Sequence, residues 1–240
     1  MNQDFATQAE APRRTGEIKI HAPEDMAGMR VSGRLAAECL DFIAPHVEPG
    51  VTTDHLDQLC HQFTLDAGAI PAPLNYKGFP KSVCISVNHV VCHGIPGDKV
   101  LKNGDILNID VTMIVDGWFG DSSRMYLVGD VGVKARRLID VPYEAMMRGI
   151  EVVKPGAWTG DIGEAIQSFV EAKRYSVVRD FCGHGIGRVF HDAPNILHYG
   201  NSRGRRGAWY LASGHLLSRR TRRLQYLALR ADGHDLRTLR

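Results

Sequence analysis

Apolar residues recur at helical spacing in four stretches of the chain and in alternation in one, and these two periods divide it into helix pairs and a hairpin. From Pro23, PEDMAGMRVSGRLAAECLDFIAPHV places Met29, Leu35, Ala36, Cys39, Leu40, Phe42 and Ile43 on one helix face, and Pro45 closes it. After a VEPG turn, Thr52 or Thr53 caps a second helix carrying Leu56, Leu59, Cys60 and Phe63, which Gly68 ends. The Pro/Gly-rich connection IPAPLNYKGFPK leads to SVCISVNHVVCHGIP, a β-branched run broken at HGIP. DILNIDVTMIVDGWFGDSSRMYLVG then reads as a hairpin about Asp116-Gly117. Residues 133–153 and 159–173 return to helical patterning, and YSVVRDF to a strand.

The chain also resembles itself. VEPGVTTDHLDQLCHQF at 47–63 aligns without gaps with VKPGAWTGDIGEAIQSF at 153–169, an offset of 106. This predicts a duplicated helix-helix-strand unit, two halves facing each other about a pseudo-twofold axis with a site between them. The second half should then repeat the strand hairpin around residues 210–230.

At 240 residues, with 44% hydrophobic and 23% charged positions, the composition is that of a globular protein of one domain or two small ones. No apolar run approaches the ~20 residues of a membrane span. The five cysteines are odd in number and form no CxxC, which predicts unpaired thiols in a reducing cytoplasm. Residues 1–16 are polar and read as a flexible N-terminus. The formal charge of +2 conceals a split. Residues 1–200 carry 19 Lys and Arg against 25 Asp and Glu, a net −6, whereas residues 201–240 carry ten Arg against two Asp, a net +8. No aromatic interleaving or reader motif accompanies those arginines, so the tail is read as solvated or aberrant and nucleic-acid binding is not expected.

A two-residue Asp-Gly turn sets Val115 opposite Trp118, Thr112 opposite Asp121 and Asp110 opposite Ser123. Both carboxylates then share one face as diagonal neighbours, roughly 5–8 Å apart at their β-carbons, while Leu107, Ile109, Val111, Met113 and Val115 line the other. Two such carboxylates on a buried strand pair need a cation between them, or one must keep its proton. An alternative is that Asp121 caps a turn and Asp110 pairs with Arg124. Three histidines favour the metal: His93 in VCHGIPGD, at the end of an apolar strand, and His184 and His191 in FCGHGIGRVFHDAP. Oxygen ligands with an imidazole suit Mn, Fe, Co or Zn.

NYKGFPKSVCISVNHVVCHGIP, NGDILNIDVTMIVDGWFGDSSRMY and FCGHGIGRVFHDAPNILHYG resemble the signatures of the type I methionine aminopeptidases, the short bacterial form, over about residues 20–200. The resemblance implies the α+β pita-bread fold and removal of the initiator methionine from nascent proteins with a small second residue, by a hydroxide bridging two divalent metal ions. It implies Asp110, Asp121 and His184 as metal ligands, and His93 and His191 as catalytic, substrate-contacting histidines. It also implies Tyr76, Phe79, Cys84 and Phe190 as walls of the methionine pocket. The expected setting is a cytoplasmic monomer acting on nascent N-termini at the ribosome, with residues 17–200 as the aminopeptidase domain.

The family's two remaining ligands are glutamates in the second half, one of them also the general acid/base, and the text after Tyr199 contains no Glu. Glu164 and Glu171 fall on a predicted helix and are poor substitutes. The Arg-rich, Lys-free segment 201–240 reads as a shift of reading frame near codon 200. Translating the other frames of the gene beyond that codon should reveal a glutamate-bearing strand pair; frames that encode none would refute the shift. A chain that exists as written could instead be a non-catalytic module that binds peptides or the ribosome.

Overall fold

The computed structural model describes residues 21–154 and 156–200 together with a strand at 229–231. The segment expected to be flexible, 1–16, and most of the tail lie outside the described residues. Helix α1 (Asp25–Ile43) ends where Pro45 enters a single turn of tighter helix, and α2 (Thr53–Asp66) begins at Thr52. Of the two threonines expected to cap it, Thr52 does so, its hydroxyl accepting the His55 N–H at 3.2 Å, a bond of about 1 kcal/mol. Gly68, at φ +69°, follows the end of α2.

Strands β1 (Ile70–Pro71), β2 (Cys84–Val87), β3 (Ile106–Val115) and β4 (Trp118–Leu127) form one antiparallel sheet. β4 runs along the whole of β3, so β2, at Leu107–Asp110, and β1, at Met113–Ile114, share the other edge of that strand. The turn carries Asp116 and Gly117 at φ +49° and +76°, and the register matches the count from it: Val115 with Trp118, Thr112 with Asp121, Asp110 with Ser123. Ala36, Cys39, Leu40 and Ile43 of α1 and Leu56 and Cys60 of α2 bury against Leu107, Ile109, Val111 and Met113. Phe42 departs from that face. It is 37% exposed and stacks on Phe63 of α2, ring centroids 5.0 Å apart.

The second half comprises α3 (Val133–Glu151), α4 (Thr159–Ala172), β5 (Tyr175–Val177), β6 (Gly183–Gly185), β7 (Asp192–Ile196) and β8 (Leu229–Ala231). α4 begins and ends 106 positions after α2, and Gly50 and Gly156 precede the two helices at φ +95° and +91°. The pair Phe42 and Phe63 recurs as Arg148 and Phe169, with the guanidinium 4.1 Å from the ring centroid. β5 pairs antiparallel with β8 as β1 does with β3. Of the hairpin expected at 210–230, the described residues contain only the neighbouring strand β8. Backbone contact joins the halves: Phe119 N–H donates to the Gly187 carbonyl at 2.8 Å, and Arg188 lies 4.5 Å over Trp118. A β-carbon on Gly120 would strike the backbone of Ser32, so α1 crosses the hairpin only because that position has none.

His198 is 5% exposed beside the second core, and burial pushes its imidazole down to about 4 from 6.5. Below pH 6.5 the unfolded chain binds a proton that the folded chain refuses, so this residue makes stability fall as pH drops from about 6.5 to about 4, by about 3 kcal/mol in all. Urea unfolding across that range should show a shallower loss in His198→Gln than in the wild-type chain.

Candidate metal centre

Asp110 and Asp121 reach one face because they occupy alternate positions on paired strands, two steps from the facing residue in each case. Among the described residues neither Asp110 Oδ1 nor Asp121 Oδ1 has a hydrogen-bond partner, and both are buried. Burial raises both carboxyls well above the ordinary carboxylate range, and for Asp121 the neighbouring charge of Asp110 adds to it. Arg124 does not relieve them. Its guanidinium donates to Asp41 Oδ1 at 2.6 Å and to the Leu40 carbonyl at 3.1 Å, on the α1 side of the sheet, so the alternative pairing of Asp110 with Arg124 is not formed.

His184 stands in β6, where a β-carbon on Gly185 would meet the Ala193 carbonyl of β7; the glycine lets the strands close around the histidine. Its Nδ1 lies 2.8 Å from the Gly185 carbonyl, which only accepts, so the proton sits on Nδ1 and Nε2 keeps its lone pair. That lone pair faces Asp121 Oδ2 at 3.8 Å. Burial pushes the His184 imidazole down, which favours the neutral ring. Two carboxylate oxygens and one imidazole nitrogen are thus left without a donor among the described residues, and ligand types of this kind suit a divalent cation. The donor types suit one divalent ion, but as they stand the three side chains do not close into its cage. Among the described residues no group of three or more His, Cys, Asp or Glu side chains converges as a ready-made metal cage, and a second ion requires further anionic ligands. Glu164, on α4, accepts from Ser168 at 3.1 Å and lies against Gly200, which leaves it a surface residue of that helix.

The expected pocket residues only partly converge. Tyr76, Phe190 and His191 form one aromatic cluster: Tyr76 Oη is 3.1 Å from His191 Nδ1, and the Tyr76 and Phe190 centroids are 4.8 Å apart. The His191 ring stacks on Phe190 at 4.2 Å and tilts against His184 at 4.4 Å. Burial first, then the charges of His184, Lys77 and His93, lowers its imidazole to about 4. Cys84 is buried directly opposite Asp110 in the sheet, and burial and that carboxylate raise its thiol. Phe79 enters through its backbone, bonded to Asn75 and Tyr76.

His93 corrects the sequence picture. It does not end a strand: β2 stops at Val87, and His93 stands six residues on in an irregular exposed loop at φ +53°. Gly94 anchors that loop, its carbonyl accepting from Ile85 N–H at 2.9 Å and its N–H donating to Ser86 Oγ at 3.1 Å. The His93 ring meets Phe181 edge-on at 5.9 Å. Phe181 and Phe119 are the neighbours that motif reading missed. Phe119 stacks on Phe190 at 5.4 Å, and the alternation that pairs it in face with Asp121 was the signal that could have found it.

A model of metallopeptidase family M24 matches residues 27–218, and the chain belongs to that family. Within it the chain is similar to the methionine aminopeptidases. It is 68% identical over 185 residues to that of Rickettsia prowazekii, spanning 77% of this chain and 71% of the relative. To that of Escherichia coli K12 it is 54% identical over 184 residues, spanning 76% and 70%. The crystal structure of methionine aminopeptidase from Rickettsia prowazekii superposes with a TM-score of 0.79 at 57% identity, covering 90% of each chain. The mixed helix and antiparallel-sheet architecture is thus the pita-bread fold, and no helix among the described residues is long and apolar enough to cross a membrane.

Without metal, the folded Asp110–Asp121 pair holds a proton that the unfolded chain releases near pH 4. Its contribution to stability is therefore lost as pH rises from about 4 through the raised folded value. In EDTA, Asp121→Asn should unfold at higher urea than the wild type at pH 7.5, by about 2 kcal/mol, and the gap should close near pH 4.

Proposed function

We propose that the chain is a metalloaminopeptidase that removes the initiator methionine from nascent polypeptides with a small second residue, acting in the cytoplasm as a monomer near the ribosome. The observation that carries this reading is that Asp110 Oδ1 and Asp121 Oδ1 lie buried on one face of the hairpin with no hydrogen-bond partner among the described residues, while His184 Nε2 turns its lone pair to Asp121 Oδ2 at 3.8 Å. These residues would hold a divalent ion, Co, Mn, Fe or Zn, and a complete centre would hold two. When bound, the metal supplies Lewis acidity toward the scissile carbonyl and lowers the pKa of water.

The chain's own residues do the rest. Tyr76 and Phe190, with Cys84 on β2 and Phe79 in the preceding loop, would line the slot for the methionine side chain, apolar and suited to a flexible thioether. His191, neutral at pH 7 and oriented by Tyr76, offers a hydrogen bond to the substrate backbone or to the oxygen that gains charge. His93, on its exposed loop, steadies the reacting amide. Residues 172–240 contain no glutamate, so they do not supply the ligands and the general acid/base that the family implies in the second half. That favours a second reading, a non-catalytic peptide- or ribosome-binding module.

Methionine release from Met-Ala-Ser with added Co or Mn separates the two. The aminopeptidase reading expects metal-dependent release, at least about 100-fold slower than that of the Rickettsia prowazekii enzyme because anionic ligands and the proton-transfer group are absent, and its loss in Asp110→Ala. Absence of release, with peptide binding unchanged by Asp110→Ala, supports the module instead.

A further inference from the structure

One stripe of α2 holds three consecutive residues just ahead of β2. Asp54, Asp57 and His61 recur at spacings of three and four and so share a helix face. Lys81 Nζ forms an ion pair with Asp54. The N–H groups of Ser82 and Val83 donate to Asp57 Oδ1 at 2.8 and 3.0 Å, and Ser82 Oγ lies 2.7 Å from His61 Nδ1. Asp57 is 5% exposed, and its burial raises the carboxyl even against the two backbone bonds that lower it. A carboxylate held at that expense does something a small apolar residue would not: one oxygen receiving two successive amides fixes the direction in which the chain leaves the loop.

The residue that follows is Cys84, paired across the sheet with Asp110. The loop that precedes carries Tyr76 and Phe79. The clasp thus sits between the aromatic loop and the carboxylate strand, and its bonds run from Asp54, Asp57 and His61 to residues 81–83, not to Asp110, Asp121, His184 or His191. The second half uses the same helix positions for the same job. Gln167, 106 after His61, accepts the Gly200 N–H at 2.9 Å. Gly163, 106 after Asp57, lacks a β-carbon that would collide with the Tyr199 carbonyl, so the chain beyond β7 lies directly on α4.

We propose that Asp57, backed by Asp54 and His61, is a positioning residue that fixes Cys84 relative to Asp110 and so sets how closely the substrate's first side chain is gripped. This rests on the aminopeptidase reading for its substrate and on backbone geometry alone for its action. The test compares wild-type chain, Asp57→Ala, Asp57→Asn and His61→Ala, each supplied with Mn. Three readouts are taken: steady-state hydrolysis of Met-Ala-Ser, Mn affinity by calorimetry, and amide hydrogen exchange. Asp57→Ala should raise KM about tenfold while kcat and Mn affinity stay within about threefold. Exchange at Ser82 and Val83 should quicken by at least about tenfold and the increase should spread through Cys84–Val87, with α1 amides unchanged. Asp57→Asn, whose amide oxygen still accepts, should restore both readouts, and His61→Ala, which leaves Asp57 intact, should raise KM by about threefold and carries the test if Asp57→Ala does not fold.

A fall in kcat or Mn affinity with KM unchanged overturns the proposal, as does exchange at Cys84–Val87 that Asp57→Ala leaves at the wild-type rate. Wild-type chain that releases no methionine overturns the aminopeptidase reading by itself, and the exchange pattern then decides the clasp independently.

Discussion

Two carboxylates on neighbouring strands, each with a buried oxygen that none of the described residues satisfies, set the terms for everything around them. The hydrogen bond that Thr112 gives Asp121 lowers its carboxyl, but burial and the neighbouring carboxylate outweigh it. Arg124, the nearest obvious cation by sequence, is drawn to Asp41 and the end of α1 instead. His184 turns its lone pair inward because its other nitrogen is committed to a carbonyl. The hairpin tolerates this because its opposite face is among the best buried in the molecule: Leu107, Ile109 and Met113 are fully covered, and α1 approaches closely enough to touch Gly120. Local electrostatic strain is thereby held in place by hydrophobic packing on the other side of the same strands.

The duplicated architecture distributes two jobs between equivalent elements. In the first half α2 clasps the chain that leads into the carboxylate sheet; in the second, α4 clasps the chain that leaves the β6–β7 hairpin bearing His184. The differences at matched positions are as informative as the agreements. Phe42 on Phe63 is an aromatic stack, whereas Arg148 on Phe169 is a cation over a ring, so one fold position accepts either an apolar or a charged partner for the same phenyl face. The helices kept their length and place while their surface chemistry diverged.

Much of this was legible in the residues. The Asp-Gly turn dictates positive φ at two adjacent positions, which fixes register, and from register the shared face of Asp110 and Asp121 follows by counting. The 106-residue offset located α4 to the residue from α2. Other features resisted reading for physical reasons. SVCISVNHVV looks like one strand, yet Asn88 adopts φ +53° and bonds through its side chain to Asp105 and Ile106 N–H, which cuts the strand at Val87 and throws His93 into a loop. Phe42 has the spacing of a core residue but finds an aromatic partner at the surface. The clasp on residues 81–83 depends on contacts across more than twenty positions of sequence, which no local pattern encodes.

β8 contributes three residues, but its position has a consequence for the second half. Without it, β5 would present an open row of backbone donors and acceptors, flanked by Tyr175 and Val177, both largely buried. An uncovered edge of that kind recruits strands from other copies of the chain. The pairing with β8 covers one edge of β5 for three residues, which brings a segment from beyond residue 200 into the fold of the second half.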